Sequence, residues 1–141
     1  MEKVFLDCDI ALDLLARREP FYPYAAELFT LIETGKVKGY ASPLMFANLY
    51  FILKQQKNRE ETLAGLKKLK LLLNVAPIAE KTIEMALASN FTDFEDAIQY
   101  YAALEARIKT IITRNKDHYR KAEASVYTAE EYLKLRAISK R

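Results

Sequence analysis

Val4-Phe5-Leu6 is a short apolar run that ends on a carboxylate, Asp7, and a helix-periodic stretch, Ile10–Arg18, follows almost at once. A strand that turns directly into a helix commits the chain to an α/β arrangement. In open α/β sheets, ligands bind outside the carboxyl ends of the strands. An acid placed there sets negative charge at the mouth of a crevice, where a divalent cation can neutralise it. The segment points to metal-dependent phosphate chemistry, and the rest of the chain has to supply the other ligands.

The remaining pattern extends the alternation of strand and helix. Glu19-Pro20 interrupts the first helix, and Tyr24–Glu33 reads as a second, stopped near Gly35. Lys38–Ala41 is a short strand, and Ser42-Pro43 supplies an N-cap and a first-turn proline for Leu44–Gln56. That helix is apolar nearly all round, so burial on every side is expected. Asn58 caps Arg59–Leu73, Leu72–Pro77 holds a third short strand, and Ala79–Ser89 is helical. Thr92 and Glu95 match a capping box for a helix running through Ala106. Thr110–Thr113 and Ser125–Tyr127 are strands, joined by a polar connection over Lys116–Ala124, and Thr128 caps Ala129–Ala137. Strands separated by helices give a parallel sheet covered on both faces. Right-handed crossovers then bring the ends of the strands, with Asp7, Ser42 and Thr113, to one edge.

Charge is uneven although the net is only +3. Residues 54–81 carry seven Lys/Arg against three Asp/Glu, and residues 106–141 carry ten against four. Residues 82–105 hold five acids and no base. An acidic pocket in a basic surround suits a polyanionic substrate such as nucleic acid. At 141 residues the chain reads as one domain, 1–141, able to bury a core without staples. No apolar run reaches the ~18 residues of a membrane span, and no signal peptide opens the chain. A single cysteine, Cys8, fits a reducing cytoplasm.

The acids form two groups, Asp7/Asp9/Asp13 and Asp93/Glu95/Asp96. Asp93 and Asp96 share a helix face, while Glu95 points elsewhere and is explained by capping. Asp93 reads equally as a metal ligand or as a first-turn acid complementing the helix dipole. Asp96 precedes Ala97-Ile98 beside a buried stripe, and a carboxylate there needs a partner or a metal. Asp13 reads as structural, with Arg17 within reach, and Cys8 as inert. His118 is the only histidine, which excludes sites that need two. No Gly-x-Ser-x-Gly, P-loop or dinucleotide-binding fingerprint occurs.

Five segments, in this order and spacing, resemble the PIN-domain family of metal-dependent ribonucleases, which includes the toxins of VapBC toxin–antitoxin pairs. They are Val4-Phe5-Leu6-Asp7-Cys8-Asp9-Ile10-Ala11-Leu12-Asp13, Ser42–Leu53, Asp93-Phe94-Glu95-Asp96-Ala97-Ile98-Gln99, Ile112-Thr113-Arg114-Asn115 and Val126-Tyr127-Thr128-Ala129-Glu130-Glu131-Tyr132-Leu133. The resemblance implies a three-layer α/β/α sandwich around a parallel sheet of four to five short strands. It implies Mg2+ or Mn2+ held by Asp7, by Asp96 and by Asp93, the additional acid of an Asp-Phe-Glu-Asp-Ala subgroup. Asn48 stands where the family usually has Glu, and Asn115 where many members have a fourth acid. Cys8 and Asp9 replace the usual Thr or Ser and Asn. His118 fills the Asp place of an Asp-Phe pair, with Asp117 one residue early and Tyr119 in the Phe place. Asn48 and Asn115 offer amide oxygens but no charge, and Asp9 compensates in part.

The expected chemistry is hydrolysis of an RNA phosphodiester without a protein nucleophile, the metal orienting and acidifying a water. Arg114 and Lys116, just past a strand end, are candidate phosphate contacts. Tyr22 and Tyr24 are candidate base-stacking residues, whereas Tyr50, Tyr100 and Tyr101 belong in the core. The resemblance also implies dimerisation and an antitoxin partner; Leu12, Leu15, Phe21, Leu28 and Phe29 are either that interface or ordinary core. Two other readings remain. A PIN scaffold with weakened catalysis would bind RNA or protein only. The Asp7-Cys8-Asp9 triplet also resembles haloacid-dehalogenase phosphatases, with Asp7 as nucleophile and Asp9 as acid/base, but the late acidic loop of that family is missing.

Overall fold

The computed structural model describes residues 1–139. Five short strands, β1 (Lys3–Leu6), β2 (Lys38–Ala41), β3 (Asn74–Val75), β4 (Thr110–Ile112) and β5 (Ser125–Tyr127), pair in parallel in the order β3-β2-β1-β4-β5. The order reverses beside β1, so the crevice between the ends of β1 and β4 is the switch point where such sheets bind ligands. Six helices lie between them, α1 (Cys8–Leu15), α2 (Tyr22–Glu33), α3 (Pro43–Lys54), α4 (Arg59–Leu72), α5 (Glu80–Leu87) and α6 (Phe94–Glu105), and α7 (Ala129–Ser139) follows β5.

The period of two along a strand decides the layers. Val4 and Leu6 of β1 and Ile112 of β4 face a core built with α1, α2, α3, α4 and α7, where Leu28, Met45, Leu49, Leu69 and Tyr132 are fully buried. Phe5 and Ile111 point the other way, onto Tyr100, Ala103 and Tyr119 from α6 and the short 3-10 turn Lys116–Tyr119. α5 packs on α6 through Ala86, Ala97 and Ile98. The expected α/β/α sandwich with a parallel sheet is therefore present, at the upper end of the expected strand count.

Two expectations change. α1 starts at Cys8 and ends at Leu15, short of Arg18. Arg17 adopts a left-handed backbone (φ 50), and the Arg18 N–H donates to the Asp13 carbonyl at 3.1 Å, a Schellman closure that stops the helix. α3 is not buried all round: Met45, Leu49 and Leu53 face the core, but Phe51 is 69% exposed and Ile52 40%. The helix lies on the sheet's flank, so only one stripe finds a partner.

Packing is close at Gly39 in β2, where an added Cβ would stand 2.7 Å from both Ile32 Cδ1 and Leu73 Cδ2. Gly39→Ala should cost about 1–3 kcal/mol of stability through overpacking. Urea unfolding at constant m checks this, and an unchanged midpoint would show that the Ile32 and Leu73 side chains yield freely.

Candidate active site

β1 hands over to α1 at Asp7, whose extended backbone (ψ 161) makes it the N-cap, with its Oδ1 accepting from Cys8 N–H at 2.8 Å. The register with β4 places Thr113 alongside: Asp7 N–H donates to the Ile112 carbonyl, and the Thr113 hydroxyl donates to Asp7 Oδ2 at 2.9 Å. From α6, Gln99 Nε2 donates to Asp7 Oδ1 at 3.0 Å, and the Tyr119 hydroxyl reaches Asp7 Oδ2 at 3.3 Å. The Ser42 hydroxyl donates to Gln99 Oε1 at 3.1 Å and fixes the amide's orientation. Strand ends β1, β2 and β4 and the start of α6 thus converge, as the topology predicted.

A cleft of about 430 Å3 opens above this point, lined by Asp7, Asp9, Asn48, Asp93, Glu95, Asp96, Asn115 and His118, with Leu12, Phe51 and Ile52 as its apolar wall. Asp7 and Asp96 are almost wholly buried. Burial pushes the Asp96 carboxyl up to about 6, aided by the charges of Asp7 and Asp93 and opposed by His118, whose Nδ1 lies 2.9 Å from Asp96 Oδ2. Asp9 is likewise pushed up to about 6, first by burial and then by Asp7, against the Arg114 backbone N–H. Its Oδ2 accepts from that N–H at 2.9 Å and from Asn115 Nδ2 at 3.3 Å, whereas its buried Oδ1 has no hydrogen-bond partner. Burial and the Asp7 charge raise the Cys8 thiol to about 12, so it is inert as a nucleophile.

The donor set consists of carboxylate and amide oxygens that repel one another, with one buried oxygen unsatisfied, and this fits a hard divalent cation. Among the described residues, no three His, Cys, Asp or Glu side chains stand in closed ligand geometry. The reason is visible in their partners: Asp96 is turned to His118, Glu95 to Asn48 and Asp93 to its own helix.

Several expected roles are displaced. The N-cap of α6 is Asp93, not Thr92: its Oδ1 accepts from Asp96 N–H at 2.9 Å. Glu95 therefore does not close a capping box; its Oε1 accepts from Asn48 Nδ2 across the cleft. Glu95 and Tyr119 are the cleft-associated residues that the sequence reading missed. Asp93 caps a helix while still lining the cleft, so both of its readings survive geometrically.

Arg114 does not turn into the cleft. Its guanidinium forms a bidentate pair with the buried Asp13 (2.8 and 3.1 Å) and lies 4.1 Å from the centre of the Phe21 ring. Asp13 is structural, as expected, but pairs with Arg114 rather than Arg17. Lys116 is held by Glu131 at 3.0 Å, an exposed pair of small worth. Asp117 does not line the cleft; the neighbouring His118 does. Tyr22 and Tyr24 are half-buried, and Tyr24 borders a separate pocket with Asp13, Arg114 and Phe21 rather than the cleft above Asp7. Tyr100 is buried, while Tyr50 and Tyr101 are partly covered. Leu12, Leu28 and Phe29 are core, and Phe21 is exposed.

The PIN domain family model matches residues 3–117. The chain is 25% identical over 136 residues to ribonuclease VapC1 of Aquifex aeolicus, covering 93% of each protein. A toxin–antitoxin complex from Klebsiella pneumoniae contains a chain of similar fold, with TM-score 0.68 and 20% identity, covering 89% of this chain and 97% of that one. The sarcin–ricin loop cleaving toxin VapC20 of Mycobacterium tuberculosis superposes with TM-score 0.66 at 14% identity, over 86% of this chain and 98% of that one.

Arg114→Ala would leave Asp13 buried and unpaired, so stability should fall by about 3–5 kcal/mol. Chemical denaturation measures it, and a loss below about 1 kcal/mol would mean that the pair contributes no more than an exposed one.

The raised carboxyls make a second prediction. Folding takes up protons at Asp9 and Asp96 between about pH 4, the ordinary carboxylate value, and about 6. Their stabilising contribution is full below that window and is lost as pH rises through it. Metal-free Asp96→Asn should therefore melt above wild type at pH 7.5, with the gap closing toward pH 4. Thermal scans at both values decide, and a lower melting temperature for the variant at pH 7.5 would contradict the charge crowding.

Proposed function

This chain belongs to the PIN-domain family, and from that premise we propose that it is a Mg2+- or Mn2+-dependent endoribonuclease, the toxin of a toxin–antitoxin pair acting in the cytoplasm. The observation that carries the reading is the buried Asp7 at the switch point of the sheet, lining one open cleft together with Asp96 and Asp9. The family match replaces the dehalogenase-like alternative. Among the described residues, no helix is long and apolar enough to cross a membrane.

Asp7 and Asp96 would hold the cation, with Asp93 and Asp9 adding charge and Asn48 and Asn115 amide oxygens. Glu95, hydrogen-bonded to Asn48, adds a carboxylate where Asn48 brings none. Bound there, the ion supplies the positive charge that polarises a scissile phosphate and acidifies a water. The chain's own residues position it. Thr113, Gln99 and the Cys8 N–H fix the Asp7 carboxylate, and His118 holds Asp96. Phe51 and Ile52 give the cleft an apolar, solvent-exposed wall. RNA is the substrate in this reading. An antitoxin protein and a second copy of the chain are its further partners.

RNA cleavage, on structured and single-stranded substrates with Mg2+ or Mn2+, should fall by a hundredfold or more in Asp7→Asn and Asp96→Asn, since a catalytic ion is worth several kcal/mol. Cleavage that survives both substitutions would place the chemistry elsewhere. Metal and RNA binding without cleavage by wild type would identify a binding module built on the same scaffold.

A further inference from the structure

Tyr119 is 1% exposed and lies outside the cleft lining, beneath it. Its hydroxyl stands 3.3 Å from Asp7 Oδ2 and 3.4 Å from Asp96 Oδ1. It also accepts from Gln99 Nε2 at 3.3 Å. Because Ser42 donates to Gln99 Oε1, the amide nitrogen faces inward, with one hydrogen for Asp7 Oδ1 and one for the phenol oxygen. The phenol's own proton is then left for the two carboxylates. No other group given above donates to both acids.

We propose that Tyr119 is a positioning residue: its buried hydroxyl ties the Asp7 and Asp96 carboxylates together from below and presets their spacing for a divalent cation arriving from the cleft. The inference rests on the metal-site reading above. It assigns the spacing of the two acids to the protein rather than to the ion. Asp96 Oδ1 accepts only from Tyr119, so that hydrogen bond from below leaves it a lone pair for a ligand from above. Asp7 Oδ2 already accepts from Thr113 and Tyr119, so a cation there would share or displace one of those donors. Partners behind metal ligands orient them, and their loss typically weakens affinity 10–100-fold.

Tyr119→Phe keeps the ring, which packs against Phe91 and the β4 side of the core. Titration calorimetry with Mn2+ should show affinity at least about tenfold weaker than wild type. Tyr132→Phe is the control. It removes another buried tyrosine hydroxyl, one bonded to Glu2 away from the cleft, and should leave Mn2+ affinity unchanged. Wild-type Mn2+ affinity in Tyr119→Phe would overturn the proposal, whatever that variant loses in stability.

Carboxyl carbon NMR of the metal-free proteins separates this claim from the metal reading. In Tyr119→Phe, the resonances of both Asp7 and Asp96 should shift while that of Asp13 stays. Shifts at both, with no Mn2+ binding by wild type, would uphold the tie and remove the metal site. Unmoved resonances would overturn the tie itself.

Discussion

Everything at this site follows from how one carboxylate is held. Asp7 receives hydrogen bonds from the first turn of α1, from Thr113 past β4, from Gln99 on α6 and from Tyr119 in the turn before β5. All four donors are neutral. They satisfy the oxygens of a nearly buried anion without cancelling its charge, which remains to act on its surroundings. The same bonds join the two faces of the sheet, because Gln99 and Tyr119 stand on one side and α1 on the other.

The uncancelled charge shapes the neighbours. Burial first, and then that charge, raises Asp9 and Asp96, and Asp96 leans on the partly exposed His118. Such crowding costs stability, and sites of this kind are where function makes that cost worthwhile. Arg114 shows the opposite device. Its guanidinium neutralises Asp13 through a bidentate pair while its backbone N–H serves Asp9, so one residue stands between an acid paired in the core and an acid lining the cleft.

Strand and helix order, the parallel sheet and the place of Asp7 were legible because each rests on a local signal: an apolar run, a cap, a glycine stop. The choice of α6 cap was not. Thr92 and Asp93 are both good N-caps, and shifting the cap by one residue turns the helix register by about 100°. That shift sends Glu95 to Asn48 instead of back to Thr92. Asp93 lying three residues before Asp96 was the available sign. Tyr119 entered the sequence reading only as the aromatic in the Phe place of an Asp-Phe pair, and it is buried. Its hydroxyl found partners 112 and 23 residues away in sequence, a pairing no local pattern encodes. Arg114 read as a free cation because Asp13, its partner, lies at the far end of the chain and meets it only after β1 and β4 pair.

The central claim is that the cleft above Asp7 receives a divalent cation. A crystal soaked in Mn2+, with anomalous data collected at the manganese edge, tests it most directly. The account predicts a peak coordinated by Asp7 and Asp96, with His118 swung away from Asp96. An empty cleft in a crystal whose Asp7 and Asp96 are open to solvent would contradict it, as would manganese bound only at surface acids.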